Sequence, residues 1–361
     1  MQVLETFNSS KKKPISTLGA VRETFSKETF DNPNYKGLFY FFRDLIFFGI
    51  SVIWLFHLET WYLLPFAWFF VGLTISGLFV IGHDCAHGAL FKSEKLSYFV
   101  GQIAMLPSLH AFHQWAYGHN RVHHGHTIKI NSDFVWHPVG PEEYQKFNLF
   151  QKLFHRISWS AFGSGIYYLW EIWLKGMIVY NAPIKEAKRD KMLVLFFAII
   201  VSGYSLYLGG YSSQEFKISQ ALWMWFKLVF MPFLVWNYFI GFTVYVHHIG
   251  ESIPWKYRED WSPFYGQVVG TVNYKVNPIY NFFVHNIYIH SPHHVHMKIP
   301  FYNLPRALDE MKKEYKPFIQ ERKSLIKDYV KNTSKCKLMN FETGEWMTYK
   351  QAINFLNTKK I

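Results

Sequence analysis

The chain holds only two cysteines, Cys85 and Cys336, and no C-x-x-C pair. Thiolate-ligated zinc and iron–sulfur sites need such clusters, so neither is encoded. The opening MQVLETFNSSKKKP has no apolar signal-peptide core, which leaves the first apolar run as the expected targeting signal. The E-x-x-H carboxylate pattern of soluble two-metal helix bundles is missing, as is the haem-binding H-P-G-G. There is no internal repeat and no low-complexity tract. Acidic residues are scarce: 25 Asp and Glu stand against 38 Lys and Arg, a net charge of +13. No helix-turn-helix, RRM or zinc-finger pattern accompanies that charge, which argues against a nucleic-acid partner. Basic residues flanking apolar runs suit anionic lipid headgroups or an acidic soluble partner instead.

Apolar and aromatic residues are abundant. Half of the 361 residues are hydrophobic and a fifth are aromatic, yet mean hydropathy is near zero. Apolar and polar residues are therefore segregated, as in a membrane protein. Residues 1–35 read as a solvated, basic arm. Apolar runs at 37–57, 61–81, 192–211 and 221–246 are long enough to span a bilayer, with Arg43 and Asp44 interrupting the first as a pair at the interface or as its boundary. Shorter apolar pieces near Tyr98–Leu109 and Ile157–Tyr180 read as interfacial or re-entrant helices. Residues 36–350 form the expected membrane domain, with 351–361 as a tail. The connections 58–60 and 212–219 carry one Lys between them, so the positive-inside rule puts the long loop and both termini in the cytoplasm. Both cysteines fall on that side, and no disulfide is expected. The expected fold is all-α: four transmembrane helices in two hairpins, with a cytoplasmic helical cap.

The chain has 18 histidines. Most fall into clusters: His83-x3-His87, His119-x3-His123-His124 followed by His126, and His290-x2-His293-His294 followed by His296. The pair His247-His248 closes the fourth span. All four groups can meet at one depth on one membrane face. On an α-helix, residues i and i+4 lie about 5–6 Å apart at Cβ, so His83/His87 and His119/His123 are each expected to chelate one metal. Neighbours such as His123/His124 or His293/His294 point about 100° apart and suit two different metals. That is too many imidazoles for one tetrahedral site. A two-metal centre is expected from His83, His87, His119, His123, His124, His290, His293 and His294 with one or both of the pair, His248 being the one favoured in part by the family resemblance given below. Imidazole donors leave iron and zinc both open. Asp84 and Asp133 are candidates to accept hydrogen bonds from ligand imidazoles, and His126 and His296 are candidates beside the clusters. The isolated His57, His110, His113, His137, His155 and His285 read as packing or surface residues. Cys85 reads as a small packing residue. No Ser-His-Asp or Cys-His nucleophile arrangement is present, and no side chain beyond a metal centre is assigned to catalysis.

These three boxes, in this order between paired spans, resemble the membrane-bound fatty acid desaturase family. The likeness is greatest to acyl-lipid Δ12/ω3-type desaturases and runs from about residue 36 to 350. His83-Asp-Cys-Ala-His87 is similar to the family's first box. Pro107, Trp115 and His123-His124-Gly-His126-Thr127 are similar to the surroundings of its second. Val246-His247-His248 with Ile253-Pro254 resembles the segment carrying its helix-end histidine, and His290–His294 with Ile299-Pro300 and Tyr302-Asn303-Leu304 its third box. Cys336-Lys-Leu and Glu342-Thr343-Gly344 resemble its tail. The second box departs from close relatives, which often have two residues rather than three before the His-His pair. Val244 stands where some relatives place an Asn that holds a metal-bound water.

The resemblance implies a histidine-ligated centre of two iron ions and O2-dependent insertion of a double bond into an acyl chain, with a membrane lipid or other acyl chain as substrate. Electrons would come from outside, from ferredoxin or, in a eukaryote, cytochrome b5. It implies a bacterial inner or thylakoid membrane, with the endoplasmic reticulum as the alternative. A hydroxylase, acetylenase or carotenoid ketolase or hydroxylase on the same scaffold is the neighbouring reading. A membrane zinc hydrolase is a more distant one. A metal transporter would place histidines inside the spans, where the sequence has them at span ends.

Overall fold

The computed structural model describes residues 16–212, 215–253 and 255–359. Pro254, part of the Ile253-Pro254 motif, and the first fifteen residues of the basic arm lie outside the described residues.

Among the described residues, four helices are long and apolar enough to cross a membrane: Asn34–His57, Trp61–Ala86, Lys185–Gly210 and Ile218–His248. The second and fourth are the inner pair, with 67 % and 44 % of their apolar windows buried against 22 % and 17 % for the first and third. Gly72 lets the inner pair approach closely, since a Cβ there would meet Val235 Cγ1 at 2.7 Å. Trp61 and Tyr62, at the start of the second helix, stay exposed, as interfacial aromatics do. Every span extends past its expected bounds at one end or both. The third starts at Lys185, because the charged turn 185–191 continues the helix out of its apolar stretch. The second runs on to Ala86, which carries His83 on its last turn. In the fourth, Pro232 lacks an amide hydrogen, and the helix opens into a wide π turn at Phe226–Phe230 just before it.

Arg43 and Asp44 both lie inside the first span. They pair at 2.6 Å, and the buried Asp44 also accepts from His285. Lys227 donates to the carbonyls of Phe56 and Leu58 at 2.9 and 2.7 Å, fastening the fourth span to the end of the first.

Between the second and third spans lie the helices Glu94–Met105, Phe112–Ala116, Pro141–Lys146 and Leu149–Ser158. A short helix Ser164–Tyr167 then opens into a π-helix, Tyr168–Val179. Gly165 permits a close crossing there: its Cβ would meet Tyr238 Cα of the fourth span at 2.8 Å. Helix Leu149–Ser158 is amphipathic and leaves Leu149, Phe150 and Leu153 exposed.

The all-α expectation needs correction. The chain is mostly helical, but Val272–Tyr274 pairs in parallel with Gln320–Arg322, and Leu338–Asn340 pairs antiparallel with Glu345–Met347. Three-residue strands are too short to show a two-residue period. The second pair turns through Gly344, whose φ of +74° favours glycine.

The described part of the arm keeps many exposed residues but is anchored to the domain at several points. Arg22 Nε donates to Val295 O at 2.8 Å, and the hydroxyls of Ser26 and Thr29 each reach the Glu310 carboxylate at 2.7 Å. At the other end, helix Tyr349–Thr358 runs across residue 350 and starts with a capping box from Thr348 and Gln351. Cys85 and Cys336 are both free and buried.

Candidate metal centre

The nine clustered histidines named from the sequence converge. His83 ends the second span and His87 caps it, and His248 is the last residue of the fourth. His290 caps the short helix Ser291–Val295, which carries His293 and His294. Asn273 Oδ1 fixes the start of that helix by accepting from the amides of His290 and Ser291 at 2.8 and 3.0 Å. Asn120 Nδ2 donates to Ala86 O at 2.9 Å and ties the second box to the first.

The nitrogens form two groups, each with its atoms within 4.8 Å of one another: His83, His87, His119 and His293; and His123, His248, His290 and His294. His124 stands between them, grouped with His293 and His294. His293 and His294 fall in different four-histidine groups, although both also lie with His124 in the third. The expected pairing of His119 with His123 does not hold. Residues Tyr117–His123 form a π-helix rather than an α-helix, and its wider turn brings i+5, not i+4, under residue i. His119 Nε2 accordingly faces His124 Nε2 at 3.2 Å, while His123 turns to the second group.

Outer contacts set which ring nitrogen faces inward. His83 Nδ1 lies 2.9 Å from Asp84 Oδ1, and His123 Nδ1 lies 3.0 Å from Asp133 Oδ1. His294 Nδ1 lies 2.8 Å from Gln267 Oε1 and 3.2 Å from Thr127 Oγ1. A ring that donates Nδ1–H outward presents the Nε2 lone pair inward, the form that binds metal. Asp84 also accepts from Phe301 N at 2.7 Å, joining the first box to the segment after the third.

Several buried nitrogens of these rings have no partner. His87 Nδ1 and Nε2, His124 Nδ1, His290 Nδ1 and His293 Nε2 are buried without a hydrogen bond. Such atoms cost about 1–3 kcal/mol each. Burial, with mutual repulsion, holds His87, His119, His124, His290, His293 and His294 well below the ordinary histidine pKa. They are neutral donors, and a cation between them satisfies both conditions. An all-imidazole set without thiolate suits iron or zinc, so the residues fit two such ions.

The other candidates sit apart. The His126 ring faces Trp261 at 6.3 Å, and His296 packs on Phe30 at 4.6 Å. His247 stacks on His290 at 3.8 Å, outside both groups. Of the isolated histidines, His110 bonds Ser108 O and Tyr168, His113 bonds Asp190, and His155 bonds Tyr349. Gln267 was not legible in the sequence: it lies on a one-turn π segment, Tyr265–Val269, outside every histidine motif.

Loop 127–137 follows the second box and carries Ile128, Asn131 and Trp136 at positive φ, 53°, 61° and 56°. Asp133 holds this strained course by accepting from the amides of Ile128 and Val135 at 2.9 and 3.0 Å. The same carboxylate thus orients a histidine and fixes the loop.

An apolar cavity of about 80 Å³ meets the histidines. His83, His119, His123, His248 and His290 contribute to its lining, together with aromatic and aliphatic side chains that include Trp115, Phe134, Tyr168, Met177, Trp236 and Tyr280. Val244 also lines it, giving an apolar surface where an Asn would give a polar one.

The fatty acid desaturase family model matches residues 59–323, which include all the histidine clusters. An sn-1 acyl-lipid omega-3 desaturase (ferredoxin) of Nostoc sp. (strain 36) is 29 % identical over 320 residues, 85 % of this chain and 83 % of that protein. An sn-1 oleoyl-lipid 12-desaturase of Anabaena variabilis is 27 % identical over 344 residues, 92 % of each. A chloroplastic omega-6 fatty acid desaturase of Glycine max is 30 % identical over 267 residues, 72 % of this chain and 59 % of that protein. With its histidine geometry and a family match over most of its length, the chain belongs to the fatty acid desaturase family and is an oxidoreductase acting on lipids.

Proposed function

We propose that the chain inserts a double bond into the acyl chain of a membrane lipid, in the manner of Δ12/ω3 desaturases, with O2 and externally supplied electrons. The observation that carries this reading is the convergence of two groups of neutral, buried imidazoles on an apolar cavity. His83, His87, His119 and His293 would hold one iron and His123, His248, His290 and His294 the other, with His124 within reach of both. When bound, the two iron ions supply the oxidising power to remove hydrogens from neighbouring unactivated acyl carbons, which no side-chain acid or base can do.

The chain's own residues do the rest. Asp84, Asp133 and Gln267 hold the imidazoles in one tautomer and orientation. Aromatic walls exclude water and fix the acyl chain against the histidines. The donor is external, since the chain has no haem or iron–sulfur motif; a ferredoxin, named for the Nostoc relative, or cytochrome b5 fits the basic balance. The four spans would form two hairpins, with both termini and the histidine cap on the cytoplasmic face of a bacterial inner or thylakoid membrane.

The test is expression in a host lacking polyunsaturated lipids, followed by fatty-acid analysis. New double bonds with about two irons per chain support the reading. New hydroxyl or keto groups would reassign the reaction. Stoichiometric zinc with turnover unaffected by removing O2 would sink the iron assignment.

A further inference from the structure

The apolar cavity continues beyond the histidines. Phe134 and Met177 line both it and a vestibule whose mostly apolar walls carry a few polar groups. The vestibule lies between loop 127–137 and the π-helix Tyr168–Val179, with Asn131, Asp133, Tyr167, Glu171 and Lys175 in its walls. Its one lysine pairs with Glu171, Lys175 Nζ lying 2.6 Å from Glu171 Oε2, and its other carboxylate, Asp133, is taken up by His123 and the amides of Ile128 and Val135. Gln114 forms the far wall, donating to the carbonyls of Gly176 and Tyr180 at 2.7 and 3.0 Å. Across Gln114 a second crevice carries Lys185 and Lys188. An apolar cavity, a vestibule with paired and neutral polar groups, and a crevice with two lysines thus follow one another through shared lining residues. An acyl chain, its ester and glycerol, and a phosphate follow one another in the same order in a glycerophospholipid.

The helix carries a second sign. Trp170, Ile178 and Val179, on the π-helix that contributes Glu171, Lys175, Gly176 and Met177 to the vestibule, are 44 %, 50 % and 67 % exposed. The third span begins at Lys185, a few residues on. Exposed aliphatic residues with a Trp beside a span start are what a membrane interface covers. Such a helix would keep the vestibule at the bilayer surface, where a membrane lipid is the molecule at hand.

We propose that this vestibule holds the ester-bearing head of an intact membrane glycerophospholipid, whose acyl chain passes between Phe134 and Met177 to the histidines. The proposal rests on the acyl-lipid reading above and adds the site of the head.

Gly176 lines the vestibule, and a Cβ there meets nothing within 4 Å. Gly176→Leu therefore fills the space without a clash. Gly203, on the third span, is equally open, and Gly203→Leu is the control. The iron-loaded full chain in lipid nanodiscs is photolysed with a phosphatidylglycerol bearing a diazirine near its ester, and adducts are mapped by mass spectrometry. Adducts are expected within 131–137 and 167–180, lost in Gly176→Leu and kept in Gly203→Leu. Unlabelled phosphatidylglycerol should compete and acyl-CoA should not. Adducts elsewhere, undiminished labelling of Gly176→Leu, or competition by acyl-CoA overturns the proposal. Desaturation is assayed separately: vestibule adducts in a chain that forms no double bond would defeat the desaturase reading and leave this site standing.

Discussion

His119 Nε2 faces His124 Nε2 at 3.2 Å across a π-helical turn, while His123, one residue closer in sequence, belongs to the other group of histidines. Single Ala substitutions at His119 and His123 are therefore expected to empty different sites. Each should lower bound iron from about two toward about one per chain and abolish activity, with membrane insertion intact. The same loss of activity is expected for His83, His87, His124, His293 and His294. Full activity in two of these variants, with normal iron by elemental analysis, would refute the ligand assignment.

Gln267 supports His294 from outside the histidine boxes. Gln267→Leu removes the acceptor at His294 Nδ1 and should lower activity or iron affinity about 10–100-fold, the usual loss for a supporting partner. Gln267→Glu keeps an acceptor and should recover much of it. Equal defects in both variants would show that packing, not the hydrogen bond, is what matters there.

Asp133 serves His123 and two amides of a strained loop. Asp133→Ala should lower iron affinity and also speed amide hydrogen exchange at Ile128 and Val135. Asp84→Ala, whose partner amide belongs to Phe301, should weaken iron binding without speeding exchange at Ile128 and Val135. Identical exchange patterns in the two variants would contradict the double role of Asp133.

Acid should destabilise the protein through a histidine far from the metal. Burial pushes His155 down to about 3 from the ordinary 6.5. Between those values the unfolded chain binds a proton that the folded chain refuses, so stability falls as pH drops through this window, by about 1.4 kcal/mol per unit at most. In chelator-treated protein, His155→Phe should lose less stability than the parent between pH 6.5 and 5. Parallel losses by thermal unfolding would show that His155 does not contribute.

Chelation should lower the melting temperature, because the inward imidazoles lose the cation that satisfies them. Iron should restore both stability and activity, and zinc stability alone. A melting temperature indifferent to chelation would mean that the cluster is satisfied without metal.

Much of this centre was legible in the sequence. Box spacing picked out eight of the nine converging histidines and the family resemblance helped to pick out His248, and Asp84 was legible from its place between His83 and His87. The spans were legible as unbroken apolar runs, but their ends were not: the charged turn 185–191 reads as loop, although helix continues through it. The metal partition of the second box was misread because an α-helical period was applied to a π-helical turn. Gln267 could not be found, since one glutamine in an ordinary stretch carries no periodic signal. Short strands such as Val272–Tyr274 pair with segments distant in sequence, which local pattern does not reveal.

The π turn at Tyr117–His123 also bears on the length of the second box. With two residues before the His-His pair, the second of those histidines falls four positions after the first, which is α-helical spacing. Here the interval is five, and the widened turn restores the same meeting of His119 with His124. The additional residue has been absorbed as a change of helical pitch, leaving the liganding pattern in place. Shortening the box by one residue at the exposed Arg121 should therefore retune the helix rather than dismantle the site, making the length of this motif a variable that insertion and deletion can explore while its chemistry stays fixed.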